Sequence, residues 1–200
     1  MIGEGNIMKK IFGILVCILL ITTTLSATVM AGNEENPELV DELDDTDLDK
    51  LDINSVWFYE KSDEPEYLYI AMKIKNLNEK INAIFSVTWF YNGIKYVSGL
   101  DTFFYKEKVF RSSVYQRATH QQWKTMPECE SIFDIDTNII TWKILKVNIG
   151  NPQRDSVLTK TRASAVLGFP SSFLLFLSVD YRDFAPNNIT DYGKDYTIKY

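Results

Sequence analysis

After residue 51 apolar and polar positions alternate every second residue over much of the chain, the period of a strand with one buried face. In Glu66–Lys75 (EYLYIAMKIK), Leu68, Ile70, Met72 and Ile74 fall on one face, and Tyr67, Tyr69, Ala71, Lys73 and Lys75 on the other. Ile84–Tyr91 repeats the pattern, with Phe85, Val87, Trp89 and Tyr91 opposite Ser86 and Thr88. Asn92-Gly93 then precedes Ile94–Val97. That dipeptide predicts a hairpin, because both residues tolerate the positive φ of a type I′ turn. Further strands are expected at Thr102–Tyr105, Val109–Ser112, Gln121–Thr125, Ser131–Ile135, Ile139–Leu145, Val157–Val166, Phe173–Val179 and Tyr196–Lys199. Asp136-Thr137-Asn138 supplies a turn, and the Gly-, Pro- and Asn-rich stretch from Asn148 to Arg154 a loop. No helical apolar period persists over three turns after residue 31. The expected fold is all-β, an antiparallel two-sheet β-sandwich of jelly-roll-like kind.

The first thirty-one residues follow another pattern. Lys9 and Lys10 precede the apolar run Ile11–Leu20, then come Thr22–Thr24, Ser26 and Val29-Met30-Ala31. Basic, apolar and small-residue regions in that order are those of a secretion signal, read as a helix cleaved after Ala31, with Ala27 the second choice. Cys17 sits inside the apolar run, not at a lipoprotein cleavage point. The run is shorter than the about 20 residues of a membrane span. The chain is therefore read as a signal peptide (1–31), an acidic flexible linker (32–51) and a β-sandwich domain (52–200). The product is expected to be secreted or held at the cell surface, with no stable membrane span after cleavage. An uncleaved anchor is the competing reading.

Composition sharpens this. Twelve Phe, eleven Tyr and four Trp favour pleated, packed surfaces. The net charge of −6 becomes −7 when residues 1–31 and their Glu4, Lys9 and Lys10 are removed. The densest charge run is acidic, so nucleic acid is excluded as a partner. Beyond the signal, Cys129 is the one cysteine, and it has no partner for an intramolecular disulfide. Between Glu128 and Glu130 it is expected to be an inert or half-buried thiol.

Candidate chemistry is sparse. Asp45, Asp47 and Asp49 alternate as calcium-loop ligands do, but Lys50 replaces the obligatory glycine and Val56 the closing Glu, so a solvated linker is preferred. His120 is the sole histidine, which leaves no multi-histidine zinc site, and no nucleophile-elbow glycines surround any serine. Glu128 with Glu130 has the composition of a glycosidase pair, but a solvated loop is the preferred reading, and Asp134-Ile135-Asp136 is read as a hairpin entry rather than a metal pair. Phosphate-cradling glycine patterns are absent. Among the aromatics, Trp89 and Trp142 keep register with core residues and Trp57 is ambiguous. Trp123, in the polar stretch His120-Gln121-Gln122-Trp123-Lys124, and Tyr67 and Tyr69, on the polar face of their strand, are the candidate ligand-binding residues.

Glu66–Ile74, Phe85–Trp89 with Asn92-Gly93 and Tyr96, Ile140–Gly150 and Asp180–Pro186 resemble the carbohydrate-binding-module family 9-like and DOMON-like jelly-roll domains of secreted microbial proteins. The likeness spans about Leu51 to Tyr200. It implies a sandwich that binds sugars, haem, metals or no small ligand. Haem would need a Met–His axial pair, and His120 with the core-facing Met72 does not supply one. Calcium is common in such domains, and Asp180 and Asp183 are the residues it suggests, without a complete ligand set. The reading is thus a non-enzymatic binding module without cofactor, its partner a glycan or another envelope protein. The alternatives are a structural or protein-interaction sandwich and, behind it, a carboxylate-based hydrolase.

Overall fold

The computed structural model describes residues 32–46, 48–102, 111–117, 124–167, 182–188 and 190–200, with 111–117 and 124–128 by backbone alone. Two antiparallel sheets pack face to face, the expected all-β sandwich. The strands in chain order are β1 (Leu39–Val40), β2 (Ile53–Tyr59), β3 (Tyr67–Ile74), β4 (Ala83–Tyr91), β5 (Ile94–Asp101), β6 (Arg111–Arg117), β7 (Lys124–Glu128), β8 (Glu130–Asp134), β9 (Ile139–Leu145), β10 (Val157–Leu167), β11 (Arg182–Ala185) and β12 (Tyr196–Thr197). One sheet has the order β1-β2-β3-β9-β8. The other runs β11-β10-β4-β5-β6-β7, with β12 added to β10. The chain changes sheet after β3, β7 and β9, so neither sheet folds from local hairpins alone.

The expected turns form for the expected reasons. Asn92 and Gly93 have φ of 49° and 74°, and Asn138 has 61°. Asp134 Oδ1 accepts the amides of Asp136 and Thr137, so that pair of aspartates closes a hairpin, as anticipated. Leu68, Ile70, Met72 and Ile74 from one sheet meet Phe85, Val87 and Trp89 from the other in one buried core. Cys129 is half-buried against it. The strands expected at Thr102–Tyr105 and Phe173–Val179, the signal at 1–31 and His120 lie outside the described residues, wholly or for the most part. Among the described residues no helix is long and apolar enough to cross a membrane.

The acidic segment 32–51 departs from its reading as a flexible linker. Leu39 pairs with Val56 and Val40 with Ser55, which adds β1 to the edge of the first sheet. Leu39 and Leu51 are fully buried. Gly193 permits this approach, since a Cβ there would lie 2.4 Å from Leu39 Cδ2 and 2.5 Å from the Glu38 carbonyl. Gly32 is held just as closely, a Cβ on it being 1.4 Å from the Phe58 carbonyl oxygen. Charge density alone favours extension, but here Glu34 pairs with Lys73, Asp44 and Asp49 pair with Lys75, and the leucines anchor the backbone.

Glu38 is buried in this segment and accepts the Phe58 amide at 2.8 Å. Burial pushes its carboxyl from the ordinary 4.5 up to about 7, against the pull of that amide and of Lys194 and Lys199. Between those two values the folded chain keeps a proton that the unfolded chain has lost, so this group's contribution to stability falls as pH rises through that window. Glu38→Gln keeps an acceptor for Phe58 without the charge. We expect it to raise the melting temperature at pH 8 and to change it little at pH 4.5. Equal shifts at both values would contradict the assignment.

Candidate functional site

On the outer face of the first sheet, strand register builds rows of side chains. Tyr59 on β2 lies opposite Tyr69 on β3, Tyr69 opposite Lys143 on β9, and Lys143 opposite Glu130 on β8. The adjacent row is Trp57, Ala71, Thr141 and Ile132. Directly opposed residues in antiparallel strands have Cβ atoms close enough for their side chains to touch, and here they do. The Tyr59 and Tyr69 rings stack at 4.9 Å and 18°. Lys143 Nζ lies 4.2 Å from the centroid of the Tyr67 ring, and Lys61 Nζ 4.6 Å from that of Tyr69.

Glu64, in the turn before β3, ties the row together. Its carboxylate accepts Lys143 Nζ at 2.8 Å and a short hydrogen bond from the Tyr69 hydroxyl, with Lys61 at 4.0 Å. The Lys143 and Tyr69 hydrogen bonds hold the Glu64 carboxyl below its ordinary range. Burial first, and then Glu64, push the Tyr69 phenol up to about 12. The Glu64 contact also raises Lys143. The ion pair is therefore fixed across neutral pH. Tyr59, Lys61, Glu64, Tyr69, Glu130, Ile132, Thr141 and Lys143 line a cleft of about 270 Å³.

Of the three residues singled out in the sequence, two meet here and Trp123 lies outside the described residues. Tyr69 lines the cleft and Tyr67 stands beside it under the same lysine. Tyr69 is only 4% exposed, because β3 is the central strand and Tyr59 covers its ring. Its hydroxyl is taken up by Glu64, while Tyr59 is the more open ring. Tyr59, Glu64 and Lys143 escaped the sequence reading. β2 carries large residues on both faces, so its alternation is hidden, and Glu64 reaches the row from a turn.

The carboxylates of the acidic segment also depart from a linear calcium loop. Asp45 and Asp49, whose alternation suggests one calcium loop that Lys50 and Val56 argue against, enter different groups. Asp45 joins Asp41 and Asp183, whereas Asp49 joins Asp44 and Asp52; Asp47 and Asp180 lie outside the described residues. Comparison with family models, curated proteins and solved structures finds no match to this chain.

Proposed function

We propose that this domain is a secreted or cell-surface, non-enzymatic binding module whose outer-face cleft takes a glycan. The observation that carries the reading is the Tyr59–Tyr69 stack set beside the fixed Glu64–Lys143 pair in one cleft. An aromatic ring matches the apolar C–H face of a sugar, and preset donors and acceptors match its hydroxyls. Thr141 and Glu130 extend the polar lining, and Ile132, 64% exposed, forms an apolar lip. Glu64 is kept ionised by Lys143, which suits hydrogen bonding to hydroxyls and does not suit a general acid that must carry a proton. This counts against the hydrolase alternative at this cleft. A structural or protein-interaction sandwich without small ligand is the second reading. It is favoured by the same network, since Glu64, Lys143 and Tyr69 already satisfy one another.

A glycan array followed by calorimetric titration distinguishes them. If a glycan binds, Tyr59→Ala should weaken it several-fold, in line with about 0.5–1.5 kcal/mol for an aromatic contact, and Lys143→Met should weaken it further. No bound glycan, or binding unchanged in both variants, would favour the structural reading.

A further inference from the structure

Asp41 follows β1, Asp45 lies in the turn after it, and Asp183 is on β11, so two distant parts of the chain converge. One carboxylate oxygen from each lies within 4.8 Å of the others. That spacing fits one coordination sphere, since calcium–oxygen distances of about 2.3–2.6 Å place ligand atoms up to about 5 Å apart. The geometry points to a divalent cation, calcium, held by Asp41, Asp45 and Asp183.

The independent observation is Asp41 itself. It is 8% exposed, yet neither carboxylate oxygen has a hydrogen-bond partner. A buried carboxylate without a partner is costly, and in native proteins such a group needs an explanation. Burial, then Asp183 and Asp45, push its carboxyl up to about 8, opposed by the neighbouring Glu42 amide, which makes no hydrogen bond of normal geometry to either oxygen. Asp183 is positioned by the amides of Ile53 and Phe184, each of which takes one of its oxygens and leaves lone pairs free.

The neighbouring group provides an internal contrast. Asp44, Asp49 and Asp52 surround Lys75, whose Nζ pairs with Asp44, lies 2.7 Å from Asp49 and 3.8 Å from Asp52. The protein thus supplies its own cation to one group. Among the described residues no Lys or Arg forms an ion pair with Asp41, Asp45 or Asp183. The donors are all hard oxygens, which select calcium or magnesium over zinc. A mostly buried set drawn from separate segments suits calcium, which tolerates irregular geometry, better than strongly hydrated magnesium. A bound ion would fasten the acidic segment to β11 and to the start of β2.

The test is calorimetric titration of the purified, chelator-stripped protein with calcium chloride, paired with thermal unfolding. One equivalent should bind. The melting temperature should rise by roughly 5–10 °C at a hundred times the dissociation constant, with magnesium weaker. Asp41→Asn should abolish the calcium-dependent rise, yet be at least as stable as the wild type in EDTA, because the charge it removes has no partner there. Asp49→Asn, in the lysine-filled group, should keep the rise. Should Asp41→Asn not fold, Asp45→Asn replaces it, with calcium affinity at least tenfold weaker. No calcium binding by the wild type would overturn the site, as would a calcium response surviving in both Asp41→Asn and Asp45→Asn. So would a wild-type melting temperature that rises on acidification but ignores calcium, since Asp41 would then be holding a proton instead.

Discussion

Replacing Trp142 by alanine should destabilise the domain by about 3–5 kcal/mol, the range for deleting a large buried aromatic. Trp142 is fully buried on β9, between Ile140 and Ile144 on the same face, with Ile70 and Ser131 as its register partners on β3 and β8. β9 is hydrogen-bonded to β3 on one side and β8 on the other, so the cavity cannot collapse without breaking ladder bonds. Its indole N–H has no hydrogen-bond partner. The loss is therefore one of packing and apolar burial, with no hydrogen bond to forfeit. Trp142→Phe, which keeps most of the ring and discards the unpaired N–H, should cost well under half as much. Urea titrations followed by far-ultraviolet circular dichroism measure both. A Trp142→Ala loss below about 1 kcal/mol would show that the indole does not organise the core.

That residue also shows what was legible in the sequence. Trp89 and Trp142 kept register with aliphatic neighbours two positions away, and strict alternation in a half-buried strand leaves one place for such residues. β3, β4, β5, β9 and β10 were readable for the same reason, and the Asn92-Gly93 and Asp136–Asn138 turns because their φ requirements restrict residue choice. β1, β2 and β11 were not. β1 is two residues long within an acidic run, and its pairing depends on Gly193, more than 150 positions away. β2 has a register shift between Ile53 and Ser55 and buries Trp57 on its outer face over Ala71, so period two is lost. β11 is short and carries a buried aspartate. Tyr67 and Tyr69 were placed on the correct face, but the burial of Tyr69 follows from β3 being central, a property of sheet order that no local window contains. The convergence of Asp41, Asp45 and Asp183 is likewise a product of topology.

The second large effect is expected at the C-terminal end of the fold. Glu60 directly follows β2 with its side chain fully buried, and there it forms an ion pair with Lys146, whose side chain is 5% exposed. Glu60 Oε2 also accepts the Tyr196 hydroxyl at 3.2 Å and the Lys199 amide at 2.6 Å, while Lys146 Nζ donates to the Tyr200 carbonyl at 2.6 Å. This network fastens β12 and the last residues to both sheets. Glu60→Ala strands the Lys146 charge in a buried site and removes the acceptor from two further donors, so it should cost about 3–5 kcal/mol. Most of that cost comes from the orphaned charge rather than from lost attraction. Adding Lys146→Met to Glu60→Ala should therefore recover a substantial part of it, since an apolar pair of similar volume is tolerated where a single buried charge is not. Equilibrium urea unfolding of the two single variants and the double gives the coupling energy. Amide exchange at Tyr196–Thr197 should quicken most in Glu60→Ala. If the double variant is as unstable as the sum of the singles, the pair is not coupled, and the C-terminal strand is held by its pairing with β10 and the packing of Tyr196 and Ile198.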